Sequence, residues 1–149
     1  PSYTDSRVYA YPDEEGNSQP EFISAERKFG EWLAFPRDDQ AQEIIEDGRW
    51  DLEPHPLEWN LMPDYALPLA IRRDTATGLT VIVLTREEDC FGIFTPYNEE
   101  SHYSNYLSLF GDDLEADETI SAHSRLVILP DPTEKEILEV AEEFLKNTP

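Results

Sequence analysis

The amino-acid sequence predicts a mostly-β domain, an antiparallel β-sandwich with one short internal helix and a C-terminal amphipathic helix. Three observations carry this. Short alternating or apolar runs bounded by Pro, Gly and Asx turns recur from Tyr65 to Leu129. Only two stretches, Gln40 to Asp47 and Thr133 onward, show helical spacing with end signals. The connections between the late strands are short, which favours antiparallel pairing over parallel crossovers. A chain of 149 residues suits a single domain with a substantial core. The chain is also read as a candidate subunit or fragment of a larger carbohydrate-active protein.

Thr4 to Tyr11 alternates weakly and ends in the acidic turn PDEEGN. Phe22 to Ala25 and Lys28 to Phe35 read as short strands, the second closed by Pro36. Asp38 has the chemistry of an N-cap for a two-turn helix that turns Ala41, Ile44 and Ile45 inward and stops at Gly48. The following RWDLEPHPLEWNLMPDY holds Pro54, Pro56 and Pro63, so it is predicted to be an ordered loop pinned by Trp50, Leu57, Trp59 and Leu61. His55, between two prolines, reads as structural.

Tyr65 to Arg73 alternates with Leu67, Leu69 and Ile71 inward, and Pro68 points to an edge or strand-end position. Leu79 to Thr85 is apolar on both faces, the pattern of a central, doubly covered strand. Cys90 to Thr95 forms a further strand ended by Pro96, Tyr97 and Asn98. For Ser101 to Leu129 the alternation predicts a hairpin around Gly111 to Glu118. Its apolar face sets Tyr103, Leu107 and Leu109 opposite Leu126, Ala122 and Ile120. Its polar face sets Ser104 opposite Arg125, Tyr106 opposite His123 and Ser108 opposite Ser121. In the last helix, Thr133 and Glu136 make a capping box. Ile137, Val140, Ala141 and Phe144 make a stripe expected to pack on the sheet, and Glu142 and Lys146 an i,i+4 pair.

The net charge of -22 is spread along the chain: residues 1–75 carry 17 acids and 7 bases, residues 76–149 carry 16 and 4. Such a surface keeps a protein dispersed, and it disfavours direct nucleic-acid binding, which needs a basic patch. It also suits an acidic interaction protein, of inhibitor or immunity type, whose partner has a basic surface. The lone Cys90 excludes an intrachain disulfide and, beside Asp89, reads as a buried inert thiol. No apolar run approaches the ~18–20 residues of a membrane span and no secretory pattern opens the chain, so the expectation is a cytoplasmic protein without membrane contact. No zinc spacing, EF-hand loop, phosphate or dinucleotide glycine loop, nucleophile elbow or H-E-x-x-H occurs, so neither cofactor nor metal is expected.

Tyr106, His123 and Arg125, with His102 at the rim, form the candidate ligand site. An aromatic face suits the CH groups of a sugar, and forked donors suit hydroxyls or carboxylates. Glu99 or Glu100 beside His102 has the makings of an acid/base pair, while the residues assign no catalytic group. The portion Leu79 to Leu129, with TGLTVIVL, EDCFGIFTPYN, HYSNYLSLFGDDLEADE and HSRLVIL, resembles the late strands of galactose-mutarotase-like β-sandwich proteins, with Asp117 and Glu118 in the acidic turn. The resemblance implies sugar recognition on a concave face. In catalytic members it implies ring-opening proton transfer by a carboxylate and histidines.

Overall fold

A computed structural model describes residues 3–13, 18–98 and 102–147. Two sheets face each other, and each is covered on its outer side by a helix. The first sheet has the order β10-β6-β5-β1-β2. It is built from β1 (Asp5–Ala10), β2 (Glu21–Ser24), β5 (Tyr65–Arg73), β6 (Leu79–Thr85) and β10 (Ser124–Pro130). The second runs β4-β3-β7-β8, from β3 (Trp32–Pro36), β4 (Asn60–Leu61), β7 (Cys90–Asn98) and β8 (His102–Tyr103), with β9 (Tyr106–Leu109) also paired to β7. Every strand pair is antiparallel except the short β3–β4 pairing. The β-rich sandwich read from the sequence is therefore the architecture found.

Period-two alternation divides the apolar residues between three layers. Val8, Ala10, Ala70, Leu33, Phe35 and Ile93 fill the space between the sheets. On the outer side of the first sheet, Leu69, Ile71, Ile82 and Leu84 meet Ile137, Ala141 and Phe144 of helix α2 (Glu134–Asn147). The outer side of the second sheet packs Ala34 and Phe94 against helix α1 (Asp39–Glu46) and the tryptophan-containing loop. Both helix starts form as predicted. The Asp38 carboxylate accepts from the Ala41 N–H at 2.9 Å, and the Glu136 carboxylate accepts from the Thr133 N–H at 2.8 Å.

At one end of the inter-sheet core, Asn105 joins the two sheets. Its side-chain oxygen accepts from the Ser6 hydroxyl at 2.6 Å and from the Arg72 guanidinium at 3.2 Å, while its amide donates to the Ile71 carbonyl at 3.0 Å. Ser6 and Arg72 lie on strands of the first sheet and are only 2% and 8% exposed, whereas Asn105 leads into β9 of the second.

Several expectations are corrected. Lys28 lies in a single 3-10 turn (Arg27–Phe29), and the strand starts only after Gly30, whose φ of 127° interrupts an extended run. The strand carrying Pro68 is interior, flanked by β1 and β6. Proline is accommodated there because the β1 register shifts between Val8 and Ala10, and the β6 ladder begins only at Leu69. Strand β6 is central in its sheet but buried on one face only: Thr80, Ile82 and Leu84 lie under α2, while Leu79, Val81 and Val83 are half-buried.

The predicted hairpin between residues 101–109 and 120–129 does not form. β9 pairs β7, with Leu107 opposite Ile93 and Tyr106 opposite Phe94, and β10 pairs β6 in the other sheet. The alternation was satisfied by two different partners: Leu107 packs against the inter-sheet core, and Val127 and Leu129 pack beneath α2. The acidic segment between them crosses from sheet to sheet. Asp89 ties down both ends of the crossing, its carbonyl accepting from the Phe110 N–H at 2.9 Å and its carboxylate from the His123 N–H at 3.1 Å.

Candidate functional site

Breaking the hairpin also scatters the residues predicted to form a ligand site. Arg125 lies on the helix-covered face of β10, where its guanidinium sits 5.2 Å from the centre of the Phe144 ring and 3.8 Å from the Glu143 carboxylate. It belongs to the packing of α2. His123 precedes β10 with its side chain exposed. Its carbonyl accepts from the Thr85 hydroxyl at 2.6 Å, and its N–H is the one held by Asp89. His102 pairs with Asn98 through the backbone, and its side chain lies outside the described residues. Glu99 and Glu100, the proposed acid/base partners, lie outside them too. No hydrogen bond or ion pair joins Tyr106, His123 and Arg125.

Tyr106 borders a substantial cavity. That cavity, about 1130 Å³, lies on the outer side of the second sheet and is lined by Trp32, Trp50, Trp59, Phe94, Tyr106 and the Pro54–Leu57 stretch, among others. Its size lies slightly above the range of about 300–1,000 Å³ usual for small-molecule sites. Besides β9, which carries Tyr106, three elements of the chain bring its rings together. Trp32 opens β3, Phe94 stands beside it on β7, and the proline-bearing loop carries Trp50 and Trp59 over the sheet. The loop closes on itself through the Leu57 N–H, which donates to the Trp50 carbonyl at 2.8 Å. Asn60 secures the loop's exit by donating to the Trp32 carbonyl at 3.2 Å.

Trp59 is the hub. Its ring lies 4.4 Å from Phe94 at an interplanar angle of 40°, while Trp32 and Trp50 meet it edge-on at 5.8 and 5.7 Å. Gly92 makes room for this cluster, since a Cβ there would fall 2.8 Å from the Phe94 ring. The indole N–H groups of Trp50 and Trp59 are buried and have no acceptor among the described residues. An unmet buried donor costs about 1–3 kcal/mol, so the cluster holds two unsatisfied polar groups beside the cavity.

The cavity wall is aromatic and carries neither carboxylate nor cation among its described lining residues; His55 is its one imidazole. A smaller cavity of about 430 Å³ between α1 and Leu61–Asp64 is acidic instead. There burial, with Asp39 and Asp38 nearby, pushes the Asp64 carboxyl up despite a hydrogen bond from Gln42. Among the described residues no group of three or more His, Cys, Asp or Glu side chains is placed to hold a metal ion. Cys90 is fully buried in the inter-sheet core, and burial pushes its thiol up to about 11, so it has no thiolate to offer near neutrality.

Sequence reasoning read Trp50 and Trp59 as anchors of the loop, which they are, and left them out of the candidate ligand site. The signal was the confinement of all three tryptophans to residues 32–59. No helix among the described residues is long and apolar enough to cross a membrane. Comparison with protein-family models, with curated proteins and with solved structures finds no match to this chain.

Proposed function

We propose that this chain is a binding domain for a carbohydrate or similar small polar ligand, held in the tryptophan-lined cleft on the outer side of the second sheet. The observation that supports the reading is the cleft's wall, where Trp32, Trp50, Trp59 and Phe94 border one cavity with two buried indole donors lacking acceptors. Flat rings pack against the CH faces of a sugar, and its hydroxyls or ring oxygens supply acceptors. With no cation among the described residues of the wall, the ligand is uncharged rather than a sugar acid. The resemblance to mutarotase-like sandwiches suits a sugar ligand. The cleft contributes no carboxylate–histidine pair among its described residues, so the proposal is recognition and not ring opening.

The test is a thermal-shift screen with neutral sugars, sugar acids and divalent cations. A ligand at 100 times its Kd adds about 2.7 kcal/mol to stability. We expect neutral sugars alone to raise Tm, Tyr106→Ala to weaken that response, and Arg125→Ala to leave it intact. A response confined to sugar acids, or one lost in Arg125→Ala with the fold unchanged, would refute the assignment of the cleft. The net charge favours a second reading, capture of a partner with a basic surface, whose affinity would fall steeply with salt. A cytoplasmic setting goes with either reading.

A further inference from the structure

We propose that two copies of this chain join along β10 in an antiparallel, twofold arrangement that continues the first sheet from one molecule into the next. β10 is the end strand of its sheet, paired to β6 in an unbroken register from Ser124 opposite Thr85 to Pro130 opposite Leu79. The Asp131 N–H donates to the Gly78 carbonyl at 3.1 Å, one step further in the same register. Because an antiparallel ladder alternates, Arg125, Val127 and Leu129 then direct their backbone groups to β6. Ser124, Leu126 and Ile128 direct theirs away from the sheet, and Pro130, which lacks an N–H, falls on that same free side.

The same residues expose apolar side chains. Leu126 is 63% and Ile128 53% exposed, on the sheet face that carries half-buried Val81 and Val83, at the margin of the inter-sheet core, where Leu126 borders a cavity of about 320 Å³ together with Ser104, Asn105 and Tyr106. Natural edge strands are usually protected by a lysine, a bulge or an inward charge. β10 has neither a lysine nor a bulge; its one charge, Arg125, is taken up by α2 and its proline stands at the last position, so the Leu126–Ile128 stretch between them stays open. Charge selects the occupant. The chain carries 33 carboxylates, yet Thr119 to Pro130 contains none and is exposed or half-buried throughout. Two molecules of charge -22 repel along most approaches, and this run is where they meet with least opposition. The strand also complements itself. About a twofold axis at Val127, Leu126 of each copy faces Ile128 of the other in a hydrogen-bonded pair. The Ser124 N–H meets the carbonyl of the other copy's Pro130, and because proline has no N–H to return, the Ser124 carbonyl at each end of the ladder is left to solvent.

Sedimentation velocity over a roughly hundredfold range of protein concentration tests the proposal, at low salt and at about 0.5 M sodium chloride, where the Debye length is well under 8 Å. The expected result is a monomer–dimer equilibrium that strengthens with salt, because screening relieves the repulsion between like-charged copies. This direction is opposite to that for a basic partner. Leu126→Lys should weaken the dimer by about tenfold or more, since it places two cations at the apolar contact. Ile128→Pro removes an outward N–H that β6 does not use and should do the same. Monomers at every concentration and salt would overturn the proposal, as would a dimer that persists unchanged in both variants. A variant is scored only if its far-ultraviolet circular dichroism matches the parent chain, and the two positions provide independent chances to meet that condition.

Discussion

Replacing Asn105 by alanine removes the polar link between the sheets and leaves their apolar contacts in place. The 2.6 Å bond takes with it the acceptor of the Ser6 hydroxyl, a group 2% exposed on β1. Stranding such a donor costs about 1–3 kcal/mol. The Arg72 guanidinium loses a contact at 3.2 Å but keeps the Ser104 carbonyl at 3.0 Å and the Tyr3 carbonyl at 3.2 Å, so its loss is near the net value of one bond, about 1 kcal/mol. The Ile71 carbonyl also faces the β1 ladder, and its share is smaller. The sum is about 3 kcal/mol, or roughly 6–12 °C in Tm for a domain of this size. Urea unfolding measures it directly as a lower midpoint at constant m-value. Asn105→Asp keeps an acceptor for Ser6 and Arg72 while setting a carboxylate oxygen against the Ile71 carbonyl, so its cost should fall between alanine and the parent residue. Ser6→Ala should cost about 1 kcal/mol and couple non-additively with Asn105→Ala. A loss below about 0.5 kcal/mol in Asn105→Ala would mean that apolar packing alone sets the register of the sheets.

Thr133→Ala removes the hydroxyl that accepts from the Glu136 N–H at 3.3 Å and should cost about 1 kcal/mol by urea unfolding; an unchanged midpoint would show that α2 is held by its apolar stripe alone. Hydrogen bonds from the Thr133 backbone and hydroxyl hold the Glu136 carboxyl below its ordinary value, so this cap contributes above that value and fades as pH falls through the lowered one. Cys90 acts in the opposite direction. Burial raises its thiol from 9.0 to about 11, so the folded chain keeps a proton that the unfolded chain releases. The stability this confers is complete below pH 9 and is lost as pH rises towards 11, roughly 3 kcal/mol in all. Unfolding free energies at pH 8 and near pH 10.5 should therefore diverge less in Cys90→Ala than in the parent chain. Equal divergence in the two chains would show that burial of Tyr65, whose hydroxyl is also raised, accounts for the alkaline loss.

The parts legible in the sequence were those specified by neighbouring residues. The caps at Asp38 and Thr133, the stripe of α2 and the apolar period of β5 each rest on contacts within a few positions, and each was read correctly. Pairing between distant strands was not local. Leu107 and Leu109 alternate as well with Ala122 and Ile120 as with their actual neighbours on β7, and only the competition for Ile93 by the first segment, and for β6 and α2 by Val127 and Leu129 in the second, separates the two. That misreading carried the site with it, since Tyr106, His123 and Arg125 share a face only if the hairpin exists. The aromatic cleft escaped because its members come from three strands and a loop, and a tryptophan in a proline-rich loop looks the same whether it fills a core or borders a cavity.

Confinement of every indole to one side of the second sheet makes the protein's intrinsic fluorescence a local reporter. Emission excited through tryptophan follows the α1 side of the molecule and is blind to the joining of α2 with the first sheet, which only circular dichroism or exchange would register. If the two faces let go at different denaturant concentrations, the optical transition would describe half of the structure. Agreement between the two signals would instead show that the central core transmits unfolding from one outer layer to the other.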